Sequence, residues 1–75
     1  MLGLKLKCDN GKTYIVLEGD DQYEYALVDI ETSKTVNLVN YFPLKDALSG
    51  DNEQNPICVG IKNGELEYTY VLMTN

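Results

Sequence analysis

Two Asn-Gly dipeptides, Asn10-Gly11 and Asn63-Gly64, each stand between stretches in which apolar and polar residues alternate. Both central residues of a type I′ turn need a positive φ, which Asn and Gly tolerate best, so each dipeptide predicts a two-residue β-hairpin loop. A loop of fixed length also fixes which residues face each other. Around Asn10-Gly11 it sets Cys8 opposite Thr13, Leu6 opposite Ile15 and Leu4 opposite Leu17. The predicted core face is then Leu2, Leu4, Leu6, Cys8, Ile15 and Leu17, with Lys5, Lys7, Tyr14, Val16 and Glu18 outward. Around Asn63-Gly64 it sets Lys62 opposite Glu65, Ile61 opposite Leu66, Val59 opposite Tyr68 and Ile57 opposite Tyr70. Those apolar residues, with Leu72, predict a second core face, and Cys58, Gly60, Glu67 and Thr69 the solvated reverse.

A third hairpin is expected between residues 23–30 and 35–39, around Glu31-Thr32-Ser33-Lys34. A three-residue loop pairs Ile30 with Val36 and Val28 with Leu38, and gathers Ala26 onto the same apolar face. It also places Lys34 in a left-handed conformation. Residues 41–50 read as a short helix: Pro43 fits the first turn, Gly50 fits just past the end, and Leu44, Ala47 and Leu48 share one face. The expected fold is α+β and mainly β. It has about six antiparallel strands in three hairpins, forming a curved sheet or small partly closed barrel, with one short helix between strands 4 and 5. Residues 1–75 are expected to form a single domain.

Composition narrows the function. Twelve carboxylates oppose six lysines, histidine is absent, and all six cations are lysine, for a net charge of −6. That charge opposes direct binding to nucleic acid or to anionic membranes. With no export signal and no long apolar run, the expected location is the cytoplasm. Without histidine, neither Cys8 nor Cys58 has an evident base, and Cys8 lies in the core alternation. The predicted registers put the two cysteines on different faces, so free thiols are expected. Asp51, Glu53 and Asn55 alternate like the start of a calcium loop, but Pro56 and Lys62 occupy the places of its glycine and closing glutamate. Carboxylate catalysis needs a deep cleft that a domain this small seldom offers. The expectation is a protein that is not an enzyme and uses no metal or cofactor.

What remains is a surface for protein contact. Tyr23 and Tyr25 stand two apart on one predicted strand, with Glu24 between them and Glu18, Asp20 and Asp21 in the adjoining loop. Asp29 and Glu31 extend this acidic stretch, and Glu65 and Glu67 form another on the last hairpin. These ten residues are the candidate partner-binding set. Same-face strand residues lie about 6.7 Å apart, of the order of the phosphate spacing along a nucleic-acid strand. The expected partner is therefore a basic surface of another protein, a nucleic-acid-processing enzyme being the case such a charge array suits. In size and charge the chain resembles the small acidic proteins with which viruses of bacteria block CRISPR or restriction systems. That resemblance implies inhibition by nucleic-acid mimicry. The alternative is a non-catalytic interaction subunit or homodimeric binding module using a sheet edge or a tyrosine-rich face.

Overall fold

The computed structural model describes residues 1–49 and 56–72. The chain runs β1 (Lys5–Lys7), β2 (Thr13–Glu18), β3 (Tyr25–Asp29), β4 (Thr35–Val39), α1 (Tyr41–Ser49), β5 (Ile57–Lys62) and β6 (Glu65–Thr69). The fold is mainly β, with the short helix between the fourth and fifth strands as expected. The strands form two sheets: β1 to β4 make an antiparallel meander in sequential order, and β5 and β6 make a separate hairpin.

The two sheets approach each other at both edges. Past β6, Val71 forms an antiparallel bridge with Cys8, the Leu72 amide donates to the Lys7 carbonyl (2.7 Å), and the Asp9 amide donates to the Tyr70 carbonyl (2.9 Å). At the other edge β4 and β5 share no ladder; the Asn37 side-chain amide donates to the Cys58 carbonyl at 2.8 Å. The sheet is therefore not closed into a barrel. Leu6, Tyr14, Val16 and Leu27 of the meander, Leu44 and Ala47 of α1, and Ile57 and Val59 of β5 enclose the core together with Cys8. Leu48 packs against it from the helix, as the predicted apolar face requires.

The first hairpin differs from its predicted register by one residue. Lys7 faces Thr13, Leu6 faces Tyr14 and Lys5 faces Ile15. Of the two loop residues, only Gly11 has a positive φ, at 82°. Its amide donates to the Cys8 carbonyl (3.1 Å), and the Cys8 amide donates to the Lys12 carbonyl (3.0 Å). The loop is thus Asp9-Asn10-Gly11, three residues ending in a glycine bulge. Tertiary contacts favour it. Asp9 is held by residues 69 and 70, while Asn10 donates to the Tyr14 hydroxyl (3.0 Å) and accepts from the Lys12 amide (2.9 Å). A one-residue slip turns every side chain of the strand over. Tyr14 and Val16 are consequently buried, whereas Leu2, Leu4 and Leu17, all predicted for the core, are exposed.

The other hairpins each add a correction. The Asn63-Gly64 turn forms as predicted, with φ of 53° and 80°, and pairs Lys62 with Glu65 and Ile61 with Leu66. A bulge between Cys58 and Gly60 then shifts the pairing, so Cys58 faces Tyr68 and Ile57 faces Thr69. Ile57 and Val59 reach the core as predicted, and Thr69 is buried; Ile61, Leu66 and Tyr68, expected in the core, are exposed. In the β3–β4 hairpin the loop holds four residues, 30–33, closed by the Asp29 amide on the Lys34 carbonyl (3.0 Å). Ser33, not Lys34, takes the left-handed conformation (φ 60°), and a bulge shifts the register after Leu27. Tyr25 and Leu27 therefore contribute to the core, while Ala26 faces Leu17 and Leu38 on the outer side.

β2 and β3 also form a hairpin, across the segment expected as a loop before Tyr23. Its tip is Asp20-Asp21-Gln22-Tyr23: the Asp20 carboxylate accepts from the Gln22 and Tyr23 amides (both 2.9 Å) and replaces glycine as the turn-maker. Gly19 is needed because the strands converge there. A Cβ at Gly19 would lie 2.2 Å from the Tyr23 carbonyl oxygen and 2.8 Å from the Tyr25 nitrogen.

Two substitution experiments check this arrangement by urea denaturation. Leu27→Ala is expected to cost about 2–5 kcal/mol, and Leu17→Ala less than about 1 kcal/mol, because only the former leaves a buried cavity. Equal costs would contradict the observed faces. Gly19→Ala is expected to cost at least about 2 kcal/mol through backbone displacement; an unchanged midpoint would contradict the close approach.

Candidate partner-binding site

The β2–β3 tip brings together most of the first acidic stretch. Glu18, Asp20, Asp21, Tyr23, Glu24 and Tyr25, with Leu2 and Gly19, line one open depression of ≈ 550 Å³. β2 delivers Glu18 directly opposite Tyr25 of β3, and the turn places Asp20 and Asp21 beyond them. Tyr25 is half-buried, its ring packed on the core, while Tyr23 is exposed. The lining therefore combines aromatic and apolar groups with carboxylates. No lysine lines this depression.

Two of these acids also hold structure. Asp20 fixes the turn, as above. The Glu24 carboxylate accepts from the Tyr41 amide at the start of α1 (3.2 Å), and its own amide donates to the Asn40 side chain (3.0 Å). A carboxylate at that position satisfies one of the free N–H groups of the helix N-terminus and suits its dipole. Glu18 and Asp21 form no side-chain hydrogen bond within the described residues, so their charge is available to solvent or to a partner.

The other four predicted residues lie elsewhere. Asp29 is buried, and its carboxylate accepts from the Glu31 amide (2.8 Å) and, more weakly, from the Thr32 amide (3.4 Å). It secures the β3–β4 loop and presents no charge outward. Glu31 is exposed in that loop, at the opposite end of β3 from Tyr25, about 13 Å or more along the strand. Glu65 and Glu67 belong to β6, opposite Lys62 and Gly60. Of the ten candidates, six thus form one cluster, Asp29 is buried, and Glu31, Glu65 and Glu67 lie apart from the cluster.

Asp9 was not among the candidates, yet it makes a polar contact that ties the first hairpin to the last. Its carboxylate accepts from the Thr69 hydroxyl and from the Tyr70 amide (3.1 Å), joining the first hairpin to the end of β6. The Thr69 hydroxyl foremost, then the Tyr70 amide, holds the Asp9 carboxyl below its usual range. Cys8, next in sequence, has its thiol pushed up to about 11, first by burial and then by the charge of Asp9. Such a thiol is protonated at neutral pH and a poor nucleophile. Both cysteines are free. Among the described residues no cluster of three or more potential metal ligands occurs, and no helix is long and apolar enough to cross a membrane. Asp51, Glu53 and Asn55 lie outside the described residues.

No protein-family model matches the chain, and neither a curated protein nor a solved structure shows significant similarity to it.

The Asp9 contact predicts a pH dependence. A carboxyl whose pKa is depressed on folding stabilises the fold fully above its unfolded value, near about 3.9, and loses that effect as pH falls through the folded value. Asp9→Asn should therefore be less stable than the parent at pH 7, with the gap narrowing below about pH 4. A gap that stayed constant down to pH 2 would show that the Asp9 charge contributes nothing.

Proposed function

We propose that the protein is a non-catalytic binding module that docks a basic segment of another protein on the acidic depression at the β2–β3 tip. The observation that carries this reading is that Glu18, Asp20, Asp21 and Glu24 line one hollow with Tyr23, Tyr25 and Leu2. A hollow lined by aromatic rings and carboxylates suits a lysine or arginine side chain. The cation lies over the ring face while the carboxylates accept its hydrogen bonds. Aromatic groups beside polar ones are also usual at protein interfaces. Burial of the Cys8 thiol, which pushes it up to about 11, argues against a nucleophilic role for that residue.

The partner's site is then positively charged, as sites that hold nucleic-acid phosphates are. Occupying one would exclude its nucleic acid, which makes the module an inhibitor by charge mimicry. In that setting the carboxylates of Glu18, Asp20 and Asp21 would take the place of phosphates. Net charge of −6 speeds the encounter and makes it dependent on salt.

Affinity capture from a bacterial lysate, in about 0.05 M and about 0.5 M salt, tests this reading. A bound protein with a basic groove, retained at least tenfold less at high salt, is expected. Glu18→Lys with Asp21→Lys should abolish that retention without unfolding, because neither side chain supports the turn. A partner that ignores both salt and these substitutions would sink the proposal.

A further inference from the structure

The two Asn-Gly dipeptides that make the hairpin turns also carry a reactive pair of groups. Glycine has no side chain to keep its amide nitrogen from the carboxamide of the preceding asparagine, a residue that counts among the thermolabile ones. Ring closure between the two requires the Asn–Gly peptide to rotate out of its turn conformation. The rate therefore follows how readily each turn opens.

The two turns differ in what holds them closed. At Asn10-Gly11 both reacting groups are engaged. The Asn10 carboxamide donates to the Tyr14 hydroxyl (3.0 Å) and accepts from the Lys12 amide (2.9 Å), while the Gly11 amide donates to the Cys8 carbonyl (3.1 Å). The Tyr14 ring is buried, and Asp9, one residue earlier, is bound to Thr69 and Tyr70. Opening this tip disturbs the junction of the two sheets. At Asn63-Gly64 neither reacting group is held: among the described residues the Asn63 side chain and the Gly64 amide form no hydrogen bond. Lys62, Asn63, Gly64 and Glu65 are all exposed, as are Ile61 and Leu66 behind them. Among the described residues, only the end of the β5–β6 ladder closes this tip.

We propose that Asn63 is a site of spontaneous deamidation and that the fold protects Asn10 from the same reaction. Water is the only co-reactant. The Gly64 amide nitrogen gives up its proton to solvent and attacks the carboxamide carbon of Asn63. A nitrogen–carbon bond forms, the bond to the side-chain nitrogen breaks, and that nitrogen takes up a proton and leaves as ammonia. Water then opens the succinimide at either carbonyl, leaving an aspartate or an isoaspartate at position 63. Either product adds a negative charge two residues before Glu65, in a chain already at −6. The isoaspartate also lengthens the turn backbone by a methylene. Turn length sets the register of β5 against β6, and β5 carries Ile57 and Val59 into the core.

Peptide mapping by mass spectrometry, on the full chain aged in mildly alkaline buffer, tests the proposal. Cleavage after lysine puts Asn10 and Asn63 in different fragments, so the two rates are read separately. In the folded chain Asn63 is expected to deamidate at least about tenfold faster than Asn10, the factor that two hydrogen bonds alone supply. In denaturing urea, where neither turn persists, the two rates should agree within about threefold. Tyr14→Phe removes the hydroxyl partner and should speed Asn10 by about two- to tenfold while leaving Asn63 unchanged. Equal rates in the folded chain would overturn the proposal, as would a difference that persists undiminished in urea.

Discussion

The left-handed conformation of Gly11 adds one residue to the first hairpin loop, and the rest of the molecule is arranged around that addition. With three loop residues, β2 presents Tyr14 and Val16 to the core and turns Ile15 and Leu17 outward. β3 must then pair so that Leu27 stands beside Val16 and Asp29 beside Tyr14. The loop itself is stabilised from a distance. Asp9 binds Thr69 and Tyr70, which brings the segment after β6 onto the end of β1, and Asn10 reaches the Tyr14 hydroxyl only because that ring lies inward. Loop, core and the junction of the two sheets thus depend on one another.

The same dipeptide behaves differently at its two positions. Asn63-Gly64 has both residues left-handed and forms the two-residue turn its sequence suggests. Asn10-Gly11 has its neighbours engaged in long-range hydrogen bonds, and these override the local preference. The helix, the strand positions and the Asn63 turn were legible because each rests on local chemistry: a proline, a glycine, a period of residues. The registers were not. Bulges at Val59 and after Leu27 depend on how the sheets meet, and alternation along one strand carries no record of that. The β2–β3 hairpin was missed because Asp20, not glycine, makes its turn.

The candidate site was legible in part for the same reason. Glu18, Asp20, Asp21, Tyr23, Glu24 and Tyr25 are close in sequence, and a tight turn keeps them close in space. Asp29 departs from the group because strand alternation on the true register points it inward, to serve its own loop. The exposed Ile61, Leu66 and Tyr68 reverse the expectation outright: residues that pattern as core become surface when a single bulge rotates the hairpin. The chain therefore separates two kinds of surface, a carboxylate-lined hollow at one turn and an uncharged apolar face on the last hairpin.

Cross-strand Hα–Hα contacts in a nuclear Overhauser spectrum test the first hairpin most directly, because only the non-hydrogen-bonded pairs bring these protons together. The observed register predicts strong contacts between Lys7 and Thr13 and between Lys5 and Ile15. Contacts between Cys8 and Thr13 and between Leu6 and Ile15 would restore the two-residue loop, bury Ile15 and Leu17, and contradict the account.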